Sequence, residues 1–280
     1  MKLRKKLFPK STCDFICLIF LLVMFQVCYW FEVFVVLPIH YEDNDVLYWF
    51  HCVISTILMF NVVGNFVAVY LVDTSIEGRI IPSTLKKTWK FCEVCECITP
   101  PRSWHCNVCE KCILKRDHHC NFIACCIGHY NHRYFLAFLM YLAISTLYCS
   151  YYNAYYLWRF TTLKSIYGFL KLILPLAVLV FGSDFSQMQF NRLLCVITIV
   201  GMFAAVTIFA YNLTTVANGV TMYEKGKKIY DYNLGNTVEN IKQVLGERWY
   251  LIWISPFIES KLPHDGIHWD NLKKTYGKYK

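Results

Sequence analysis

Between Cys92 and Cys126 the chain places nine of its fifteen cysteines together with three histidines. The order is Cys92-Glu-Val-Cys95, then His105-Cys106-Asn-Val-Cys109-Glu-Lys-Cys112, then Asp117-His118-His119-Cys120, and finally Cys125-Cys126. A CxxC pair offers two thiolates at the bite that a tetrahedral zinc ion takes, and zinc is usually held by four Cys or His side chains. The segment has ligands for two complete sites with at least one cysteine to spare. It has few apolar residues to fold around, so metal binding would supply its folding energy. The run Asp117-His118-His119-Cys120 adds something zinc does not require. An imidazole beside a thiol can take its proton or stabilise its thiolate, and a carboxylate can hold that imidazole in the useful tautomer. On chemistry alone two readings of this run stay open: further zinc ligands and their partners, or a nucleophile with its base.

The elements that must position this cluster are apolar. Of the 280 residues 56% are hydrophobic and only 17% charged, against roughly 25% charged in soluble domains, and mean hydropathy is +0.37. This excludes a disordered chain, a collagen-like repeat and a coiled coil, and it argues against an ordinary soluble globule. Four stretches reach the ~20 residues needed to cross a bilayer: Phe15–Leu37, Trp49–Leu71, Phe135–Trp158 and Leu193–Leu213. Glu32 is the only Asp, Glu, Lys or Arg within them. The first is too long for a signal peptide and no small-residue cleavage site follows it. A fifth stretch, Phe169–Phe181, has 13 residues with Lys171 and Pro175 inside, and reads as re-entrant or interfacial.

Charge sets the expected orientation. Residues 1–12 hold five Lys/Arg, 73–133 hold nine and 214–280 hold ten, against none in 38–46 and four in 159–192. The positive-inside rule then puts both termini and the Cys-rich loop in the cytosol, where thiols stay reduced and zinc, not disulfides, is the expected use of cysteine. The formal charge of +9 suits anionic lipid headgroups. With no basic stripe of interleaved aromatics, nucleic acid is not an expected partner. No internal repeat is evident. The expected architecture is an all-α integral membrane protein, a four-transmembrane-helix bundle with a cytosolic double-zinc domain between helices 2 and 3. Its parts are a cytosolic N-terminus (1–14), helices 1 and 2 (15–71), the Cys-rich domain (73–133), helices 3 and 4 (135–213, with 169–181 between them) and a cytosolic tail (214–280).

The Asp-His-His-Cys run resembles the DHHC protein S-acyltransferases, or palmitoyltransferases. Their pattern of spaced ligands is met here by Cys92, Cys95, His105, Cys106, Cys109, Cys112, Asp117 to Cys120, Cys126 and Asn131, and the four-span topology fits as well. The resemblance implies two interleaved structural zinc ions, one held by Cys92, Cys95, His105 and Cys112, the other by Cys106, Cys109, His119 and Cys126. It leaves Cys120 as nucleophile, His118 as its base and Asp117 as the group that orients His118. The implied reaction is a ping-pong transfer of a long-chain acyl group from acyl-CoA, through an acyl-enzyme at Cys120, to cysteines of substrate proteins near the membrane. The compartment implied is the Golgi or endoplasmic reticulum membrane. The lipid bilayer is itself a partner, since each buried CH2 of an acyl chain contributes about 0.8 kcal/mol. Nothing in the residues specifies an accessory subunit.

Several positions depart from the family pattern. Asn121-Phe122 replaces Pro-Trp, Thr99-Pro100 replaces Lys-Pro, and Trp104 replaces a histidine. Arg102 is retained and is expected at the CoA phosphates. Asp73-Thr74-Ser75 stands for Asp-Pro-Gly, and Thr214-Thr215-Val216-Ala217 for Thr-Thr-x-Glu, with the carboxylate missing. Asp73 and Thr214 are expected either to brace the zinc segment or to serve as helix caps. Asn240 matches the asparagine of the family's C-terminal motif. Val238, Ile241, Val244, Leu245, Trp249 and Ile252 predict an amphipathic helix, seated at the interface or packed on the cytosolic domain. Asn61, Gly64, Asn65, Ser145 and Thr146 are expected to pack helices more than to line an acyl cavity. Cys97 and Cys125 are spare. A zinc-binding membrane scaffold without activity is the main alternative. A zinc-dependent ubiquitin ligase is a weaker one, because it has no use for a free cysteine after Asp-His-His.

Overall fold

The computed structural model describes residues 2–81, 88–160, 166–182 and 184–269. Four of the described helices are long and apolar enough to cross a membrane: α1 (Thr12–His40), α2 (Asp45–Leu71), α3 (His132–Phe160) and α6 (Gln187–Ala217). Each expected span lies inside its helix, which continues by up to six residues beyond it. Their outward faces are apolar too, with Ile16, Phe20, Val53, Val200 and Phe203 exposed, as a helix facing lipid requires. α1 widens into a π-helical stretch at Glu32–Val36. Pro38 explains it: with no N–H, and with a ring that would clash with the carbonyl four residues back, proline breaks the regular ladder just there.

The chain forms two compact units. One comprises Leu22–Val62 and Leu139–Phe209. It is built on Phe31, Val36, Leu37, Tyr156, Leu194 and Cys195, with a polar knot in which Tyr41 and Tyr148 hydroxyls meet the two ring nitrogens of His51 at 2.8 and 2.7 Å. The segment 169–181 lies here as two short helices, α4 (Ile166–Ile173) and α5 (Pro175–Phe181). Leu174 between them leaves the helical region, as a residue before proline does. At 1.5 Å per residue neither helix exceeds ~12 Å, well short of the ~30 Å apolar core of a bilayer.

The other unit comprises Met1–Leu21, Val63–Phe138 and Ala210–Lys280. Its centre is three antiparallel hairpins of three-residue strands: β1 (Lys90–Cys92) with β2 (Cys97–Thr99), β3 (Trp104–Cys106) with β4 (Lys111–Ile113), and β5 (His118–Cys120) with β6 (Cys125–Ile127). These hairpins overturn the expectation of no internal repeat. Cys92, Cys106 and Cys120 stand fourteen residues apart at the ends of β1, β3 and β5. Glu96, Glu110 and Ala124, at the same spacing, each take a left-handed backbone with φ of 48°, 53° and 51°. Only backbone geometry and a few cysteines persist through the repeat, which is why side-chain composition hides it.

Polar residues pin the hairpins to the helix ends. Thr74 accepts from the Leu114 amide at 3.0 Å, and its hydroxyl accepts from the Tyr130 amide at 3.3 Å. The Asp73 carboxylate receives the Ser75 amide at 3.0 Å. Asn131 donates to the Cys126 carbonyl at 2.9 Å and accepts from Gly128 at 2.8 Å. Gly64 packs helix to loop, since a Cβ there would lie 2.9 Å from Pro256.

In the tail, α7 (Met222–Gly226) and α8 (Thr237–Leu245) follow α6. The expected amphipathic helix through Ile252 is therefore cut short. Gly246 turns the chain at φ +83°, and a Cβ there would sit 2.3 Å from the Ser260 hydroxyl, so the helix ends and turns carry Trp249 and Ile252. Asn240 is buried and fastens this region, donating to the Ala217 carbonyl at 2.9 Å and accepting from Leu234 at 3.0 Å.

Candidate active site

The hairpin register assembles the metal ligands. His105 stands opposite Cys112 in β3–β4, and His119 opposite Cys126 in β5–β6. Cys92, Cys95, His105 and Cys112 bring their ligand atoms within 4.8 Å of one another, as do Cys106, Cys109, His119 and Cys126. A tetrahedral zinc ion, ~2.3 Å from sulfur and ~2.0–2.1 Å from nitrogen, sets ligand–ligand edges of ~3.6–3.8 Å. Around His105 Nδ1 the three sulfurs lie at 3.8, 3.2 and 3.9 Å, and around His119 Nδ1 at 3.7, 3.3 and 3.7 Å. Both donor sets fit a closed Cys3His zinc centre, which supplies rigidity and leaves no open position for chemistry.

Each set takes a CxxC from one hairpin and a His and Cys from the next. Cys120 takes the first CxxC position of the third hairpin, at the end of β5, but the second position is Ile123. No fourth hairpin follows to complete a third set, because α3 starts at His132. The repeat thus leaves one thiol in a ligand's position without a metal to bind.

Strand geometry also explains why adjacent histidines differ. Side chains alternate faces along a strand, so in β5 His119 turns to the metal cluster while His118 and Cys120 share the opposite face. The Asp117 carboxylate, buried at 1% exposure, accepts from His118 Nδ1 at 2.6 Å through one oxygen and from the Met222 amide at 2.8 Å through the other. Burial works against the charge on Asp117, but the His118 hydrogen bond and the charge of His132 outweigh it and hold the carboxyl below its usual range. Burial likewise opposes a charged His118, yet the hydrogen bonds to Asp117 and Cys120 prevail and push the ring up to about 9. The ring is seated edge-on against Phe135 at 5.1 Å.

Arg102 requires a correction. Its guanidinium is not presented to a phosphate; it is 2% exposed and forms a fork with both oxygens of Glu224 at 2.6 Å. It also donates to the Gly219 carbonyl at 3.0 Å and lies 4.6 Å from the rings of both Tyr232 and Trp269. The missing carboxylate is corrected with it. Thr214 is spent on its own helix, bonded to the Tyr211 carbonyl at 2.7 Å. Thr221 and Glu224 instead form a reciprocal cap at the start of α7, with bonds of 3.2 and 2.8 Å. The carboxylate sits seven residues beyond the expected place, after α6 has ended. The spacing Thr221-x-x-Glu224 before a short helix is a capping box, and that signal could have found it.

Asp14 escaped the sequence reading altogether. In the first turn of α1 its carboxylate lies 3.0 Å from His119 Nε2, the ring nitrogen opposite the metal-facing one. A carboxylate there fixes the tautomer and orientation of a metal-binding histidine. No local spacing links positions 14 and 119. Lys115 was also missed: it is buried, donates to the Gln243 carbonyl at 3.2 Å, and burial pushes it down to about 7.

Comparison with known proteins agrees with this geometry. Residues 85–229 match the family model described as DHHC palmitoyltransferase. The chain is 33% identical over 227 residues to the protein named "Probable palmitoyltransferase ZDHHC24" of Danio rerio, covering 80% of this chain and 76% of that one. It is 35% identical over 212 residues to the protein of that name from Mus musculus, covering 75% and 74%. Against the "Palmitoyltransferase PFA4" of Mycosarcoma maydis it is 36% identical over 199 residues, 64% of this chain and 37% of that one. With two closed Cys3His sets around an unligated Asp-His-His-Cys thiol, four helices of membrane-spanning length and a family match over half its length, the chain belongs to the DHHC palmitoyltransferase family.

Proposed function

We propose that this chain, a protein S-palmitoyltransferase by family, works through a thioester on Cys120. Its Sγ attacks the thioester carbonyl of a long-chain acyl-CoA. The bond from the acyl carbon to the CoA sulfur breaks, and the proton released by Cys120 passes through His118 to the departing CoA thiolate. A cysteine of a substrate protein then attacks the Cys120 thioester. His118 takes the incoming proton and returns it to the Cys120 sulfur, so atoms and charge balance over the cycle. With the Asp117 carboxylate on Nδ1, that nitrogen carries the hydrogen and Nε2 is the atom that exchanges a proton with sulfur.

The observation that carries this reading is the placement of Cys120. It belongs to neither ligand set, and it shares a strand face with an imidazole whose far nitrogen is held at 2.6 Å by a buried carboxylate. Thioester exchange is nearly balanced in free energy, so the site needs position and an available thiolate more than driving force. The two zinc sets supply position by fixing β3 to β6. The charge asymmetry of the loops supports a cytosolic placement of both termini and of the site. Family membership supports acyl-CoA as donor, membrane-proximal cysteines as acceptors, and a Golgi or endoplasmic reticulum membrane.

The scaffold alternative loses one of its grounds, because Glu224 supplies the carboxylate expected after α6. The test is Cys120→Ser. Loss of both self-acylation by labelled palmitoyl-CoA and transfer to an acceptor supports the nucleophile, whereas full residual activity removes Cys120 from that role.

A further inference from the structure

Cys120 is not the only thiol at this face. The first turns of α1 carry Cys13 and Cys17, four residues apart and therefore on one side of the helix. This end of α1 is held to both neighbours of Cys120. Asp14 reaches His119 at 3.0 Å, and the Asn121 side-chain amide donates to Cys13 Sγ at 3.4 Å. Among the three thiols, Cys13 is exposed and the other two partly buried.

The contact from Asn121 depends on a residue that departs from the family pattern. Where the resemblance expects proline, asparagine supplies a side-chain amide that can donate to the sulfur. That contact holds the Cys13 sulfur beside the residue that follows Cys120. Beyond Cys13, the surface of α1 presents Phe15, Ile16, Ile19 and Phe20 as an exposed apolar strip, along which an acyl chain attached at the first turn would lie.

We propose that Cys13 is a second acylation site, loaded in cis from Cys120. Cys13 Sγ attacks the Cys120 thioester carbonyl, the bond from the acyl carbon to the Cys120 sulfur breaks, and the proton from Cys13 ends on Cys120. One thioester is exchanged for another, with no redox partner. The free Cys120 can then accept a second acyl group from the donor. This inference rests on the acyl-enzyme reading above.

The test is peptide mapping and intact mass of the purified full-length chain after incubation with palmitoyl-CoA, with and without hydroxylamine. The expected result is hydroxylamine-sensitive adducts at Cys120 and Cys13 in the native chain, at Cys120 alone in Cys13→Ser, and at neither position in Cys120→Ser. Cys120→Ser should also stay unmodified at Cys13 when mixed with native protein. Asn121→Ala should lower the ratio of adduct at Cys13 to adduct at Cys120 by roughly three- to tenfold, the value of one hydrogen bond. Modification at Cys120 only, in the native chain, overturns the inference and leaves the acyl-enzyme intact. Adduct at Cys13 in Cys120→Ser, alone or in the mixture, overturns the transfer in cis. Adduct at neither position in the native chain overturns the acyl-enzyme reading itself.

Discussion

Removing one member of the Arg102–Glu224 pair separates a structural role for this arginine from contact with the donor's phosphates. Both side chains are almost wholly buried, at 2% and 1% exposure, and joined at 2.6 Å by two parallel bonds. Breaking such a pair from one side leaves an uncompensated charge in the interior and costs about 3–5 kcal/mol. For a chain of this size that corresponds to a fall in Tm of about 6–20 °C. Glu224→Gln and Arg102→Met should each show it in thermal unfolding of the purified protein. Arg102→Lys should also lose stability, because an ammonium cannot reproduce the fork. Replacing both residues by apolar ones should recover most of the loss. Activity should fall with stability, because Glu224 closes the cap whose Met222 amide holds Asp117. The fall should be in kcat, with KM for palmitoyl-CoA unchanged. A rise in KM for the donor with an unshifted Tm would refute the reasoning and return Arg102 to the phosphates.

Asp117→Asn should keep the fold but slow acylation of Cys120 by about 10²–10⁴-fold, the usual worth of a positioned base, as measured by rapid quench with labelled donor. Asp14→Asn should weaken one of the two zinc ions by roughly 10–100-fold, seen as loss of half the bound metal to a competing chelator while the Cys92 set keeps its own. Gly219→Ala should destabilise by at least ~1–3 kcal/mol, since its φ is +68° and a Cβ would stand 2.5 Å from Asn240 Oδ1; denaturant unfolding measures it.

Much of this architecture was legible because its signals are local or periodic. The four spans announce themselves through length and the absence of charge. The eight side chains that meet in two groups were readable as ligands from CxxC spacing, and their grouping followed from resemblance. What the sequence hid depends on contacts between distant segments. Arg102 looks like any surface arginine until Glu224, 122 positions away, is seen to close on it. Asp14 reads as a helix-end carboxylate until α1 is seen beside His119. The threonine–glutamate pair was matched at Thr214 by the family pattern, just after a span expected to end at Leu213. The helix instead runs on to Ala217, and the pair stands beyond it at Thr221 and Glu224. The fourteen-residue repeat was invisible for another reason. It is a repeat of backbone turns, and its third copy has exchanged Cys for Ile at position 123.

That exchange puts the weight of the account on one sulfur. The most direct measurement is a pulse of labelled palmitoyl-CoA, followed by a chase with a cysteine-bearing acceptor and rapid quenching. The account predicts a thioester at Cys120 that forms and discharges at least as fast as steady-state turnover, and that is absent from Cys120→Ser. Turnover with no acyl group ever found on Cys120, or with one that discharges more slowly than product appears, would contradict it.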